Sequence, residues 1–220
     1  VLNEIDNVWC ERVYSPWTDM EEEMRSSGIP LYALESGDNV SDFDIVAFSI
    51  GYEMAYTTIL NMLDLAGIPI RSASRGEEHP LVIAGGTCCY NAEPIADFID
   101  LFILGEGEYV NAELVELFRQ CRRDGLTKEE FLIKAAQLRG IYVPKLYDAT
   151  YSDDGTVKEY IPKSGAPAKI KKRIVTDFDS SYFPEKTIVP STEIVHDRVV
   201  LELFRGCIRG CRFCQAGYVY

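Results

Sequence analysis

Histidine is nearly absent, with two residues in 220, so zinc chemistry is short of its usual ligands and no histidine is assigned to catalysis. Positive charge is scarce too: 22 Lys and Arg against 35 Asp and Glu leave a formal net charge of -13. That balance opposes an electrostatic footprint on nucleic acid by this segment, although contacts made elsewhere stay open. No stretch approaches the roughly 18 consecutive apolar residues of a membrane span, and no charged n-region precedes an apolar one at the start. The expectation is a globular protein of the cytoplasm, with no membrane partner. Seven cysteines, an odd number, do not make the disulfide framework of a small secreted domain; they fit a reducing compartment, as metal ligands or core residues. Hydrophobic residues make up 47%, enough for one complete domain and part of another. Val1 in place of an initiator Met, and an end soon after Cys214, give the expectation of a piece of a longer protein that is itself inactive.

Apolar residues at Leu2, Ile5 and Trp9, beside Val1 and Val8, predict that the chain opens in a helix, and a second helix is expected at about Asp19 to Ser27, stopped by Gly28 and Pro30. Ile45 to Ile50 is an unbroken apolar run of strand length. Ile59, Met62, Leu63 and Ala66 then share one helical face, closed by Gly67. Leu81 to Ala84 enters Gly85-Gly86, and Ile99 to Leu104 enters Gly105-Glu106-Gly107-Glu108, before Leu114, Phe118 and Cys121 mark another helical face. Strands without polar alternation, separated by helices, predict a doubly wound parallel sheet covered on both faces. Such a sheet takes ligands beyond the C-terminal ends of its strands, which makes Ser49, Gly85, Gly86, Gly105, Glu106 and Gly107 the candidate ligand residues. The glycines also have a purely structural reading, since any parallel sheet needs tight turns at its strand ends.

Thr127 and Glu130 read as a capping box opening a helix that ends at Gly140. Tyr147 to Ile161 reads as a hairpin turning at Asp154-Gly155. Pro162 to Pro190 has no clear periodicity and reads as a linker containing the basic group Lys169, Lys171, Lys172 and Arg173, expected to be solvated. Val199 to Phe204 is a last strand. The domains expected are 1–125, an α/β domain; 126–197, helix, hairpin and linker; and 198–220, the start of a second domain.

That strand delivers the chain to Cys207, Cys211 and Cys214, three thiols spaced CxxxCxxC. Four-iron clusters ordinarily take four Cys, so three leave one iron open to a substrate or cofactor. Gly206 and Gly210 let the loop wrap closely, and Arg205, Arg209 and Arg212 would offset cluster charge. Zinc is the competing occupant, but its fourth ligand is missing: the nearest histidine, His196, precedes the strand. Three thiols among glycines and arginines are a poor choice for packing a core.

Cys207, Cys211, Phe213 and Cys214 match the CxxxCxΦC motif, Φ being aromatic, and here the sequence resembles the radical S-adenosylmethionine (SAM) superfamily. The resemblance implies that the three Cys hold a 4Fe-4S cluster, that S-adenosyl-L-methionine chelates the open iron, and that Phe213 packs near its adenine. It implies an external electron donor of flavodoxin or ferredoxin type, reductive cleavage of S-adenosylmethionine, and an unknown substrate. Residues 44–50, 82–86, Glu93-Pro94 and 105–108 resemble the Rossmann-like, cobalamin-binding-type domain found ahead of many radical SAM (β/α) barrels, whose first strand and cluster loop would be all that is present here, the barrel truncated. In that family these stretches lie under the corrin ring and around its nucleotide tail. The Asp-x-His-x-x-Gly signature of a lower axial ligand is absent, so cobalamin itself stays open. The whole resembles an uncharacterised bacterial family of such proteins.

Cys88 and Cys89, adjacent and therefore unable to chelate one metal with the usual spacing, are expected to be small buried residues. Cys10 and Cys121 fit apolar positions, and His79 and His196 surface or linker positions. Two other functions stay open: a redox or cofactor-binding module without SAM chemistry, and an RNA-modifying methyl- or methylthiotransferase.

Overall fold

The computed structural model describes residues 1–184, 188–195 and 198–219; His196, expected in the linker, lies outside them. The chain divides into two compact units, Val1–Ile174 and Val175–Tyr220. The division falls inside the stretch read as linker, so the capped helix and the hairpin belong with the sheet.

The opening helix does not form beyond one 3-10 turn at Leu2–Glu4. Asn3 and Cys10 exchange two hydrogen bonds, from Nδ2 to the Cys10 carbonyl at 3.0 Å and from the Cys10 N–H to Oδ1 at 2.7 Å. Asn7 takes a left-handed φ of 59°. The chain therefore reverses where the apolar spacing alone suggested winding on, because an Asn side chain bonded to backbone competes with the helical ladder. Cys10, expected at an apolar position, is exposed. The next helix forms as expected: α1 (Thr18–Ser27) ends at Gly28, whose φ is 66°.

The first unit is built on four strands, β1 (Ile45–Ser49), β2 (Leu81–Gly85), β3 (Leu101–Ile103) and β4 (Ile141–Tyr142), in the order β1-β2-β3-β4. The first three are parallel and β4 is antiparallel to β3. The order never reverses, so the sheet has no switch point and is not doubly wound in that sense. Both faces are covered all the same. Between β1 and β2 runs α2 (Ala55–Leu65), and between β3 and β4 run α3 (Gly107–Arg123) and α4 (Lys128–Ala135). Val46, Val82, Ala84 and Phe102 point to the α2 side, meeting Ile59, Met62 and Leu63. Leu81, Ile83, Leu101 and Ile103 point to the other, meeting Val110 and Leu114 of α3 and Phe131 and Leu132 of α4. This alternation inside unbroken apolar runs is what a strand buried on both faces requires. Each fully buried side chain of this kind stabilises the fold by about 1.5–3 kcal/mol relative to exposure.

Thr127 opens α4 with the capping box expected of it: its Oγ1 accepts the Glu130 N–H and the Glu130 carboxylate accepts the Thr127 N–H. The helix stops at Ala135, earlier than Gly140, because hydrogen bonds from the Gln137 and Leu138 N–H groups reach back only three residues. Gly140, at φ 91°, then turns the chain into β4. The hairpin of β5 (Tyr147–Tyr151) and β6 (Val157–Pro162) forms as expected. Asp154 holds its turn by accepting from the Thr156 N–H and hydroxyl.

In the second unit Val199 to Phe204 forms no strand. A strand needs a neighbour to pair with, and Val199, Leu201, Leu203 and Phe204 are exposed. The four-residue α5 (Ala216–Val219) follows the cysteine loop.

Candidate functional site

The parallel register brings Ser49 of β1 beside Gly85 of β2, and Gly105 lies two residues past the end of β3, so the six candidate ligand residues collect at the C-terminal edge of the sheet. At this edge the Ile50 N–H donates to the Gly85 carbonyl at 2.7 Å, and the Cys88 N–H to the Ile50 carbonyl at 3.1 Å. Tyr56 on α2 donates to the Asn91 carbonyl at 2.9 Å. Glu106 is the N-cap of α3 and Gly107 its first residue.

Two of the glycines are explained by the chain itself. A Cβ on Gly86, whose φ is 105°, would lie 2.6 Å from the Ile50 carbonyl oxygen. A Cβ on Gly105, whose φ is 110°, would lie 2.6 Å from the Arg173 nitrogen and closer still to its carbonyl oxygen. The backbone approaching these two turns is this chain's own, which accounts for both glycines without a nucleotide tail, and no step below runs through cobalamin.

Arg173 accounts for the second close approach. It forms a parallel bridge with Gly105, its N–H donating to the Leu104 carbonyl at 2.8 Å and its carbonyl accepting the Glu106 N–H at 3.1 Å. Its guanidinium is ion-paired with Glu113 of α3. One member of the basic group thus has an internal role, whereas Lys169 and Lys171 are exposed.

In the second unit Cys207 and Cys211 are exposed and Cys214 is half-buried, all with free thiols. Gly206 and Gly210 take φ values of 86° and 62°, and the Cys214 N–H donates to the Cys211 carbonyl at 3.1 Å. The side chains are not gathered: among the described residues no three His, Cys, Asp or Glu come together as a metal site. Three thiols on one loop, with glycines at the turns that would let it wrap, are nevertheless the donor set that an iron–sulfur cluster takes. Gathering thiols and binding metal are coupled, because the ligands bind as thiolates that repel one another until metal joins them. Phe213 is 93% exposed. Arg205, expected to offset the charge of a bound cluster, is paired with Glu202 at 2.8 Å, and its guanidinium lies 5.0 Å from the centre of the Phe178 ring.

Cys88 and Cys89 are buried, as expected, with burial raising both pKa values and pushing Cys89 up to about 12. That makes them poor nucleophiles and poor metal ligands. Cys121 is buried in α3. His79 is half-buried, its Nδ1 accepting the Gly76 N–H at 3.0 Å and its carbonyl accepting from Lys128. Lys128 also donates to the Gly76 carbonyl at 2.5 Å, and burial holds its ammonium below the usual lysine range. Sequence reasoning missed one further polar cluster, in which Tyr142 of β4 donates to Glu93 beside Tyr160 of β6. Burial first, and the Glu93 bond second, raise the Tyr142 pKa. Glu93-Pro94 was picked out only by resemblance, and nothing local in the sequence links it to a tyrosine so far along the chain.

The family model described as "Radical SAM proteins, N-terminal" matches residues 1–144. That span covers the four-stranded sheet and stops before the hairpin and the cysteine loop. An uncharacterized protein of Methanocaldococcus jannaschii is 25% identical over 198 residues, which is 89% of this chain and 35% of that protein. This chain therefore spans 35% of the length of the relative it matches. No solved structure matches it. Among the described residues no helix is long and apolar enough to cross a membrane.

Proposed function

This chain belongs to the family of radical SAM proteins, as their N-terminal part, and from that premise we propose that Cys207, Cys211 and Cys214 hold a 4Fe-4S cluster used with S-adenosylmethionine. The observation that carries the reading is the agreement of two separate stretches. The family match lies within residues 1–144, while the CxxxCxΦC spacing lies at 207–214 and takes no part in it. The state of the thiols supports the same choice. These three are on the surface or half-buried, while Cys88, Cys89 and Cys121 are buried, so the metal-accessible cysteines other than Cys10 are those of the motif. When bound, the cluster would supply the electron that cleaves the sulfonium of S-adenosylmethionine.

What this chain's residues contribute is ligation and access. The three thiolates leave one iron without a protein ligand, and the exposed ring of Phe213 offers an aromatic face to an adenine. Delivery of the electron calls for an external flavodoxin- or ferredoxin-type donor. The substrate, and the choice between hydrogen abstraction and group transfer, belong to the whole protein.

Anaerobic reconstitution of the full-length protein with iron and sulfide tests the ligand set. About four irons and four sulfides per chain, a spectrum that changes on adding S-adenosylmethionine, and loss of iron in Cys211→Ala are expected. A cluster whose spectrum ignores S-adenosylmethionine would leave a redox module instead. Zinc retained without iron would overturn the cluster itself.

A further inference from the structure

The stretch between the hairpin and the second unit, read from sequence as solvated linker, is held to the first unit along its length. The Lys163 N–H donates to the Leu146 carbonyl at 2.8 Å. Gln137 donates to the Gly165 carbonyl at 3.1 Å, Tyr147 to the Pro167 carbonyl at 2.8 Å, and Arg139 to the Lys172 carbonyl at 3.2 Å. Ala166 is buried. The run ends on Arg173, in the bridge to Gly105 already described, with its guanidinium on Glu113. Gly140 is shaped to the same contact, since a Cβ there would lie 2.8 Å from the Leu104 carbonyl oxygen and 3.1 Å from the Arg173 Cβ.

We propose that residues 163–174 are a fixed belt whose last turn, at Arg173, is the resident occupant of the sheet's C-terminal edge beside α3. It closes the Gly105-Glu106-Gly107 turn to outside ligands and sets the point at which the chain leaves the first unit. The Glu106 N–H at the head of α3 would otherwise face a ligand's anionic group; the Arg173 carbonyl takes that place. Gly105 is required for this reason, since any side chain there would collide with the belt's backbone, and the positive φ adds strain. The belt does not depend on what the thiols of the second unit bind.

Amide hydrogen exchange on the protein, with and without excess hydroxocobalamin as a probe ligand, tests this. The Arg173 and Glu106 amides should be protected in the wild type. Both should exchange about tenfold faster or more in Gly105→Ala, and so should the Glu106 amide in Arg173→Pro, which removes the N–H that residue 173 donates to Leu104. Gly51→Ala, where a Cβ meets nothing within 4 Å, should leave them unchanged. The Ile50 amide, bonded to Gly85, should stay protected throughout and thereby shows that the sheet is intact; where Gly105→Ala disturbs it, Arg173→Pro decides. Hydroxocobalamin should neither co-elute with the wild type nor alter Arg173 protection. An unprotected Arg173 amide in the wild type, or retained cobalamin with that protection lost, would overturn the proposal.

Discussion

The Arg75 guanidinium lies 2.9 Å from the Asp100 carboxylate, the Arg75 side chain 2% exposed and that of Asp100 12%. The pair ties the connection before β2 to the connection before β3, at the N-terminal end of the sheet. Arg75 also donates to the Pro69, Ile70 and Phe98 carbonyls, and the second Asp100 oxygen accepts the Val82 N–H at 2.7 Å. Removing one partner leaves the other charge buried and uncompensated. Asp100→Ala should therefore cost about 3–5 kcal/mol, and Asp100→Asn less, read as a lower urea midpoint. A loss within experimental error would mean that the site is open to water.

The thiols should fall into two reactivity classes. Cys207 and Cys211 are exposed, while Cys88, Cys89 and Cys121 are buried, the first two with raised pKa values. In the native, metal-free protein at neutral pH an alkylating reagent should label Cys207 and Cys211 first, and exposed Cys10, whose pKa burial raises, more slowly. The buried three should react only on unfolding, a sequence that peptide mapping resolves. Early labelling of Cys88 would contradict the packing described.

Alkaline pH should destabilise the first unit. Burial and the Glu93 bond raise the Tyr142 pKa, so the native state holds that proton more tightly than the unfolded chain does. This stabilisation is complete below the unfolded value of about 10 and is lost as pH rises beyond it. Cys89, pushed up to about 12, acts in the same direction from its unfolded value near 8.5 upward. Tyr142→Phe should be less stable near neutrality yet lose less between about pH 8 and pH 11, seen as a shallower fall of the urea midpoint. A parallel fall would exclude Tyr142 as a source.

At the start of α4, Thr127→Ala removes an acceptor for the Glu130 N–H and should cost about 1 kcal/mol, with Thr127→Ser close to neutral. Thermal unfolding of the two variants side by side distinguishes a cap from general packing.

The parts legible in the sequence are those fixed by neighbours a few residues away. β1, β2, α2, α3, the capping box and the Asp154-Gly155 turn follow from local periodicity and local hydrogen bonding, and the structure has them all. The misreadings come from distant partners. Asn3 binding Cys10 replaces the opening helix, and Arg173 pairing with Leu104 and Glu106 turns an apparent linker into part of the edge. Neither has a periodic signature. The glycines at 86 and 105 were legible as special positions, but whether ligand or backbone lies against them is set by parts of the chain that no spacing rule connects. Val199 to Phe204 has the composition of a strand, and composition does not supply a strand to pair with. The thiol motif is legible because cluster ligands need only spacing on one loop.

Reductive cleavage of S-adenosylmethionine tests the central claim most directly. The full-length protein, anaerobically reconstituted, is reduced with S-adenosylmethionine and assayed for 5′-deoxyadenosine and S-adenosylhomocysteine, with Cys211→Ala as control. Formation of either product by the wild type and neither by the variant is the result expected of a cluster held by Cys207, Cys211 and Cys214. A fully loaded, reducible cluster that leaves S-adenosylmethionine intact would contradict it.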